Sequence, residues 1–259
     1  MLQRILKSYM FLHVMPYDVV IPLGPNDEDI VQLCIDSTRK YVRDINTIYV
    51  ISHRPLDLSG AVLVTEDIFP FQKDDIKAYV GDKKAGWYLQ QLLKLYCQEV
   101  VPSLHDNVVI VDADTIFKRA VSFMAGTKFL FNVHNSIHTP YFKHMKLIHP
   151  SFTAFKRGIS GIVNTMIVNR KIVKEIFNIV EAYHGEPFWK VFMKCLDTSE
   201  PSSASEYEIY FHYVMRMHPN KVQIRTLYYD NSGKRDTIVT GGIYHYVNYH
   251  GWNQDKPAN

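Results

Sequence analysis

The stretch at residues 107–117, with the sequence NVVIVDADTIF, decides the fold class that we predict for this chain. Residues 108–111 form a continuous β-branched run, which is typical of a strand buried on both faces of a parallel or mixed sheet. Asp112 and Asp114 follow at the carboxyl end of this strand, where open α/β sheets bind their ligands. Residues two apart in an extended chain share a face, so both carboxylates can point into one crevice, and Ala113 leaves room there for a bulky ligand.

The two aspartates suggest a metal site. Like charges repel and each resists burial, so a divalent cation is the simplest partner for Asp112 and Asp114. Hard oxygen ligands suit Mg²⁺ or Mn²⁺, which keep open positions for substrate phosphates. The structural alternative is that Asp112 caps the following turn and Asp114 is solvated. The buried strand before the pair favours the metal site.

Composition limits the class of protein. A chain of 259 residues that is 47% hydrophobic can bury one large α/β core. Its 29 basic and 26 acidic residues include no long basic run, which argues against a nucleic-acid partner. The three cysteines lie far apart in apolar segments, so we expect buried thiols and no disulfide framework. No run reaches transmembrane length, and we expect a cytoplasmic protein, or one of the host cytoplasm if the source is viral.

We divide the chain into three segments. Residues 1–16 are an amphipathic segment without the apolar core of a signal peptide, and they pack on the domain or, alternatively, on a membrane surface. Residues 17–252 form the domain, and residues 253–259 form a frayed tail. Strands alternate with helices through the domain, which predicts a single α/β unit with a central mixed sheet and helices on both faces. Residues 71–84 are rich in Lys and Asp and are predicted to be a mobile connection.

Two predicted helices carry polar groups. Residues 86–101 have an apolar stripe at helical spacing, and Gln90 or Gln91 must lie close to it. A buried amide needs a partner, which could be a ligand, the Asp-Ala-Asp strand or ordinary backbone. Ser205 can cap a second helix that starts at Glu206. We assign Glu208 in this helix to complementing the helix dipole.

Several stretches together resemble one known fold. The strand ending in Asp-Ala-Asp resembles the metal-binding Asp-x-Asp motif of nucleotide-sugar glycosyltransferases of the GT-A fold. Further matches lie at residues 86–95 (GWYLQQLLKL), 160–166 (SGIVNTM), 205–210 (SEYEIY) and 246–250 (YVNYH). Their order, over residues 17–252, is similar to that of a poorly characterised bacterial and viral family of GT-A-like proteins, of the kind grouped as domains of unknown function. The resemblance implies a Rossmann-like single domain with a nucleotide half to about residue 117 and an acceptor half after it.

The resemblance also implies a donor site for a nucleoside diphosphate sugar of the UDP or GDP type. In this fold the first βα loop wraps the base, which makes Pro22 and Leu23 candidates, although a plain tight loop is the alternative. Asp67 could accept a hydrogen bond from the base or ribose, or it could cap the next segment. The other donor-site candidates are Trp87, Gln90, Gln91, Asp112, Ala113 and Asp114.

The resemblance extends to metal and acceptor residues. Asp112, Asp114 and His250 would hold the metal, with Asp112 acting directly or through water and with His245 as the alternate histidine. A plain surface histidine is the alternative for both. The acceptor or sugar candidates are Ser160, Gly161, Asn164, Glu206 and Tyr207, where relatives carry histidine in place of Asn164. The aromatic residues and histidines between residues 134 and 157 match no zinc spacing and predict an acceptor-side loop.

These features predict a metal-dependent glycosyltransferase that moves a sugar from a nucleoside diphosphate sugar to a glycan or another hydroxyl acceptor. Asp112 and Glu206 are the predicted catalytic residues. Glu206 would take the acceptor proton as a general base, or it would orient the sugar. The alternatives are a metal-dependent nucleotidyltransferase or phosphohydrolase, and a non-catalytic sugar-binding module.

Overall fold

The computed structural model describes residues 16–235 and 242–251, so nearly all of the predicted N-terminal segment and the whole predicted tail lie outside the described residues. The strands are β1 (Tyr17–Leu23), β2 (Ile45–Ser52), β3 (Val62–Thr65), β4 (Asn107–Val111), β5 (Thr115–Phe117), β6 (Met124–Ala125), β7 (Lys128–Asn132), β8 (Thr165–Asn169), β9 (Val222–Arg225), β10 (Tyr229–Asp230) and β11 (Tyr246–Asn248). The helices are α1 (Val31–Tyr41), α2 (Lys73–Val80), α3 (Asp82–Val100), α4 (Thr139–Ile148), α5 (Arg170–His184), α6 (Phe188–Lys194) and α7 (Glu206–Met217). Within the described ranges, no helix is both long and apolar enough to cross a membrane.

The core is a five-stranded mixed sheet with the order β3-β2-β1-β4-β8. The first four of these strands run parallel, and β8 pairs antiparallel with β4 at the edge. Every residue of β1 and β4 is buried, as expected for strands covered on both faces. Two further three-stranded sheets have the orders β10-β11-β5 and β6-β7-β9. The predicted α/β class with a central mixed sheet and flanking helices is confirmed.

Strand register determines what lies beside the carboxyl end of β4. Val111 pairs with Thr165 at the start of antiparallel β8. Thr115, just after the Asp-Ala-Asp turn, pairs with Asn248 at the end of antiparallel β11. The residue before β8 and the residues after β11 therefore both meet the turn, although they lie far from it in sequence.

The segment before α3 differs from our expectation. Residues 71–84, predicted to be a mobile connection, contain α2 and the start of α3. Gln72 and Asp75 form a capping box at the start of α2, and Ile76 of this helix is fully buried. Gly81, with a φ of 72°, ends α2 in a conformation that favours glycine and lets α3 begin at once. The prediction of a mobile connection is wrong, because the charged residues lie on one side of a capped helix whose apolar side is packed.

Candidate functional site

A cleft of about 440 Å³ opens at the carboxyl end of β4. The Asp-Ala-Asp turn contributes to its lining together with α3, the start of α7 and the segment at residues 134–141. Most of the predicted site residues line it: Trp87, Gln90, Gln91, Asp112, Ala113, Asp114, Asn164, Glu206, Tyr207 and His250. The structure therefore brings together predicted residues from five separate regions of the sequence.

Asp114 contacts a histidine from the end of the chain. The register of β11 on β5 continues in a hydrogen bond from the amide of Tyr249 to the carbonyl of Asp114, at 3.0 Å. His250 follows, and its Nδ1 lies 2.6 Å from Asp114 Oδ2, so the imidazole donates to the carboxylate. The alternate candidate, His245, does not line the cleft and instead accepts a hydrogen bond from the amide of Tyr228.

Asp112 is paired with a lysine that the sequence analysis did not identify. Lys94 Nζ lies 2.7 Å from Asp112 Oδ1 and 2.9 Å from Glu206 Oε1. Nδ2 of Asn164 donates a long hydrogen bond, of 3.5 Å, to the other carboxylate oxygen of Asp112, Oδ2. Lys94 is only 4% exposed, and its ammonium sits 4.5 Å from the centre of the Tyr207 ring. One ammonium therefore joins the two residues that we predicted to be catalytic.

Burial and charge together determine the ionisation of these groups. Burial acts to lower the pKa of Lys94, but the carboxylates of Asp112 and Glu206 outweigh it and hold that pKa well above its ordinary value. Burial raises the pKa of Asp112, opposed by Lys94 and reinforced by Asp114. Burial and Asp114 likewise raise the pKa of Asp27, against the effect of its ion pair with Arg235. Lys94 is thus a buried cation that stays protonated, and it offsets the repulsion between the neighbouring carboxylates.

The lining of the cleft is acidic. Among the described lining residues, one lysine faces four carboxylates: Asp27, Asp112, Asp114 and Glu206. Across residues 16–235 and 242–251, no three His, Cys, Asp or Glu side chains are arranged to hold a metal ion by themselves. The donor set fits a divalent cation that Asp114 and His250 share with an anionic ligand, since Mg²⁺ is commonly held by one or two carboxylates plus substrate phosphates.

Three predicted donor contacts do not line the cleft. Pro22 and Leu23 are the last two residues of the buried strand β1, and neither belongs to the loop that follows it. Asp67 is exposed in a short 3-10 turn and accepts a hydrogen bond from the hydroxyl of Thr65, whereas the next helix is capped by Gln72 and Asp75. The first βα region instead supplies Asp27 to the cleft.

Ser160 and Gly161 also lie behind the lining. The Ser160 hydroxyl donates to Glu208 Oε1 at 2.6 Å, and the Gly161 amide donates to Glu208 Oε2 at 2.8 Å. Glu208 is fully buried, so its role is to fasten this loop to α7, beyond complementing the helix dipole. Ser160 in turn exchanges backbone hydrogen bonds with His134, which lines the cleft. Ser160 and Gly161 therefore lie behind a lining residue, and the sugar contact that the resemblance implies for them stays a prediction.

The predicted acceptor-side loop is partly helical. It supplies His134, Ser136, His138 and Tyr141 to the lining, the last from the first turn of α4. His138 Nε2 donates to the carbonyl of Ser202 at 2.7 Å, and the Tyr141 hydroxyl lies 2.7 Å from the Ser202 hydroxyl. These bonds fix this part of the lining to the loop that leads into α7.

Comparisons of sequence and structure relate this chain to known proteins. No curated protein matches the sequence. Among solved structures, mouse xyloside xylosyltransferase 1 in its apo form is similar over 94% of this chain and 100% of its own, with 11% identity and a TM-score of 0.49. At that identity and score the likeness assigns no activity. The profile of the family of unknown function DUF6492 matches residues 31–255. The chain therefore belongs to the DUF6492 family.

Proposed function

We propose that the chain is a glycosyltransferase that moves a sugar from a nucleoside diphosphate sugar to a hydroxyl acceptor. The observation that supports this most is the acidic cleft at the carboxyl end of β4, where Asp112, Asp114, His250 and Glu206 converge. A diphosphate is an anion, and a lining with four carboxylates and one lysine repels it unless a cation is present. A cleft of this charge therefore suits a ligand that binds together with Mn²⁺ or Mg²⁺.

The residues of the chain would divide the work as follows. Asp114 and His250 would hold the cation, with Asp112 beside them, and the bound cation would stabilise the charge that develops on the leaving diphosphate. Trp87 would contact the donor, and the side chains at residues 134–141, with Tyr141 among them, would form the acceptor side, where sugar rings stack on aromatic faces. Glu206, at the start of α7, would face the transferred sugar or the acceptor hydroxyl.

The decisive test is a screen of UDP- and GDP-sugars against the purified chain, with and without Mn²⁺. A ligand that binds only the folded state at 100 times its Kd adds about 2.7 kcal/mol to stability, so a metal-dependent shift in Tm identifies the donor. Transfer or slow release of UDP or GDP from that donor marks a glycosyltransferase. Release of phosphate or nucleoside monophosphate would point to a phosphohydrolase, and metal-independent sugar binding without turnover would point to a binding module.

A first prediction concerns Asp114. Asp114→Ala removes a carboxylate that would hold the metal, so transfer should fall at least about 100-fold, the usual loss on removing one group that stabilises developing charge. The Mn²⁺-dependent Tm shift should disappear with it. Asp57→Ala, which removes an exposed aspartate far from the cleft lining, is the matched control. Undiminished donor affinity in Asp114→Ala would contradict the proposal.

A further inference from the structure

The proposed function gives no role to one buried charge in the cleft, that of Lys94. Lys94 is 4% exposed, lies on α3 and contacts both predicted catalytic carboxylates. Burying a lysine is costly, and fold stability gives little reason to keep a buried ion pair that apolar residues could replace. A cation between two acids at the centre of a ligand cleft is therefore best explained by what it does to those acids.

The α3 helix holds Glu206 through its backbone as well as its side chain. Gln91 lies one turn before Lys94, and its Oε1 accepts the backbone amide of Glu206 at 3.2 Å. Lys94 then binds Oε1 of the Glu206 side chain, and its ammonium lies over the ring of Tyr207. These contacts hold the first turn of α7 against α3 and place the Glu206 carboxylate on the same ammonium group as Asp112.

The two ends of the Asp-Ala-Asp turn have different partners. Asp114 is bound to His250, whereas Asp112 is bound to Lys94 and through it to Glu206. Gln91 is only 3% exposed, and its buried Nε2 has no hydrogen-bond partner in the described structure. A buried donor of this kind is costly unless a ligand or water satisfies it. This side of the cleft therefore has the character of a polar subsite, separate from the side that would hold the metal.

We propose that Lys94 is a positioning residue. It holds the carboxylates of Asp112 and Glu206 where they bind the transferred sugar, while Asp114 and His250 hold the metal and diphosphate. This assignment rests on the proposed function and makes it more specific. Protonating Glu206 would leave the ammonium without one of its two partners, so Glu206 accepts hydrogen bonds from sugar hydroxyls and does not act as the general base. Lys94 itself acts through the two carboxylates.

The experiment compares the affinity for a nucleoside diphosphate with that for its sugar conjugate, by calorimetry in the presence of Mn²⁺. The probes are UDP with UDP-glucose and GDP with GDP-mannose. In the wild type the conjugate should bind more tightly than the bare diphosphate. Lys94→Met should leave the affinity for the bare diphosphate undiminished but weaken the conjugate at least about tenfold, the change expected on losing one hydrogen bond to a charged group.

Control variants separate charge from packing. Lys94→Arg keeps the cation, so it should bind the conjugate more tightly than Lys94→Met does. Lys174→Met, at an exposed lysine of α5, should match the wild type. If Lys94→Met fails to fold, Lys94→Met with Glu206→Gln removes one charge of each sign and should show the same loss.

The outcomes distinguish the two proposals. An equal preference for the conjugate in the wild type and in Lys94→Met, or in the double variant, would overturn the role of Lys94 and leave the transferase proposal intact. Weaker binding of the bare diphosphate by Lys94→Met would also overturn it, because Lys94 would then belong to the diphosphate side. A preference that depends on Lys94 in a protein that transfers no sugar would support the positioning role and end the transferase proposal.

Discussion

At the scale of single residues, His144 shows how burial can make stability depend on pH. It is 1% exposed between α4 and α6, and its Nε2 donates to the carbonyl of Phe192 at 2.9 Å. Burial lowers the pKa of His144 to about 4 from an ordinary value of 6.5. The folded state therefore holds a neutral imidazole over a range in which the unfolded chain binds a proton.

We predict that His144 makes the protein less stable as the pH falls from about 6.5 to about 4. Because the unfolded state binds more protons in that range, the free energy of unfolding decreases as the pH decreases. The full effect is about 3 kcal/mol, from the size of the pKa shift. Urea unfolding at several pH values measures it. His144→Gln removes the titrating group, and an equally steep dependence in that variant would contradict the prediction.

Sequence reasoning found some site residues and missed others for identifiable reasons. Asp112 and Asp114 follow from a local pattern, since a β-branched strand ends in alternating carboxylates. His250 could be assigned only through a family resemblance, because its place beside Asp114 depends on the pairing of β11 with β5. Lys94 lies within the apolar stripe of α3, and its two partners, Asp112 after β4 and Glu206 on α7, are revealed only by tertiary packing. The spacing of Gln91 and Lys94, three residues apart, is the one sequence feature that could have drawn attention to this face of the helix.

At the scale of elements, the middle of α7 makes a close contact, through Phe211, with the loop that precedes β8. A Cβ atom added to Gly161 would collide with the Cβ and ring of Phe211 on α7. These atoms lie next to the backbone of α7, so the helix itself would have to shift. Glycine at residue 161 is therefore required by packing, and no sugar contact is needed to explain it.

We predict that Gly161→Ala destabilises the protein by about 1–3 kcal/mol, the usual cost of overpacking a core. Sugar transfer should fall as well, because α7 carries Glu206 at its first position. The matched control is Gly24→Ala: Gly24 has a φ of −85° and open space around its Cβ position, so stability should not fall. Equal urea midpoints for the two variants would contradict the prediction.

The wrong prediction at α2, a mobile connection where the structure has a helix, also concerns a whole element. Composition suggested a mobile connection at residues 71–84, because Lys and Asp dominate it. The capping box of Gln72 and Asp75, together with buried Ile76, makes the segment helical. Gln is an unusual cap, so the usual sequence pattern for a helix start was absent. Helix ends that depend on such specific hydrogen bonds are the elements that composition predicts least well.

At the scale of the whole molecule, the central sheet follows from sequence more directly than the cleft does. β1 and β4 contain apolar β-branched runs, at residues 19–21 and 108–111, separated by a segment long enough for a crossover connection, which predicts parallel pairing and ligand binding at their carboxyl ends. The cleft depends on more, since its lining is completed by Tyr229, Asn231 and His250, far along the chain from β1. Their placement depends on short strands whose pairing no local pattern determines.

Arg235 joins these distant regions. Its guanidinium binds Asp27, which is 208 residues away in sequence, and also Asp29 at 2.6 Å. It donates to the carbonyl of Tyr249 at 3.1 Å as well, so one side chain connects the loop after β1 with the segments before and after β11. Because Asp27 lines the cleft, this cluster holds the N-terminal and C-terminal parts of the lining together.

We predict that Arg235→Met lowers the free energy of unfolding by about 2 kcal/mol, as expected when hydrogen bonds to charged groups are lost and Asp27 stays partly buried without its cation. Arg216→Met, at an exposed arginine of α7, should change stability by less than about 0.5 kcal/mol. Donor affinity should also fall in Arg235→Met, since both parts of the lining lose their connection. Urea unfolding and the Mn²⁺-dependent Tm shift measure the two effects. Unchanged stability and donor binding would mean that strand pairing alone holds the end of the chain against the cleft.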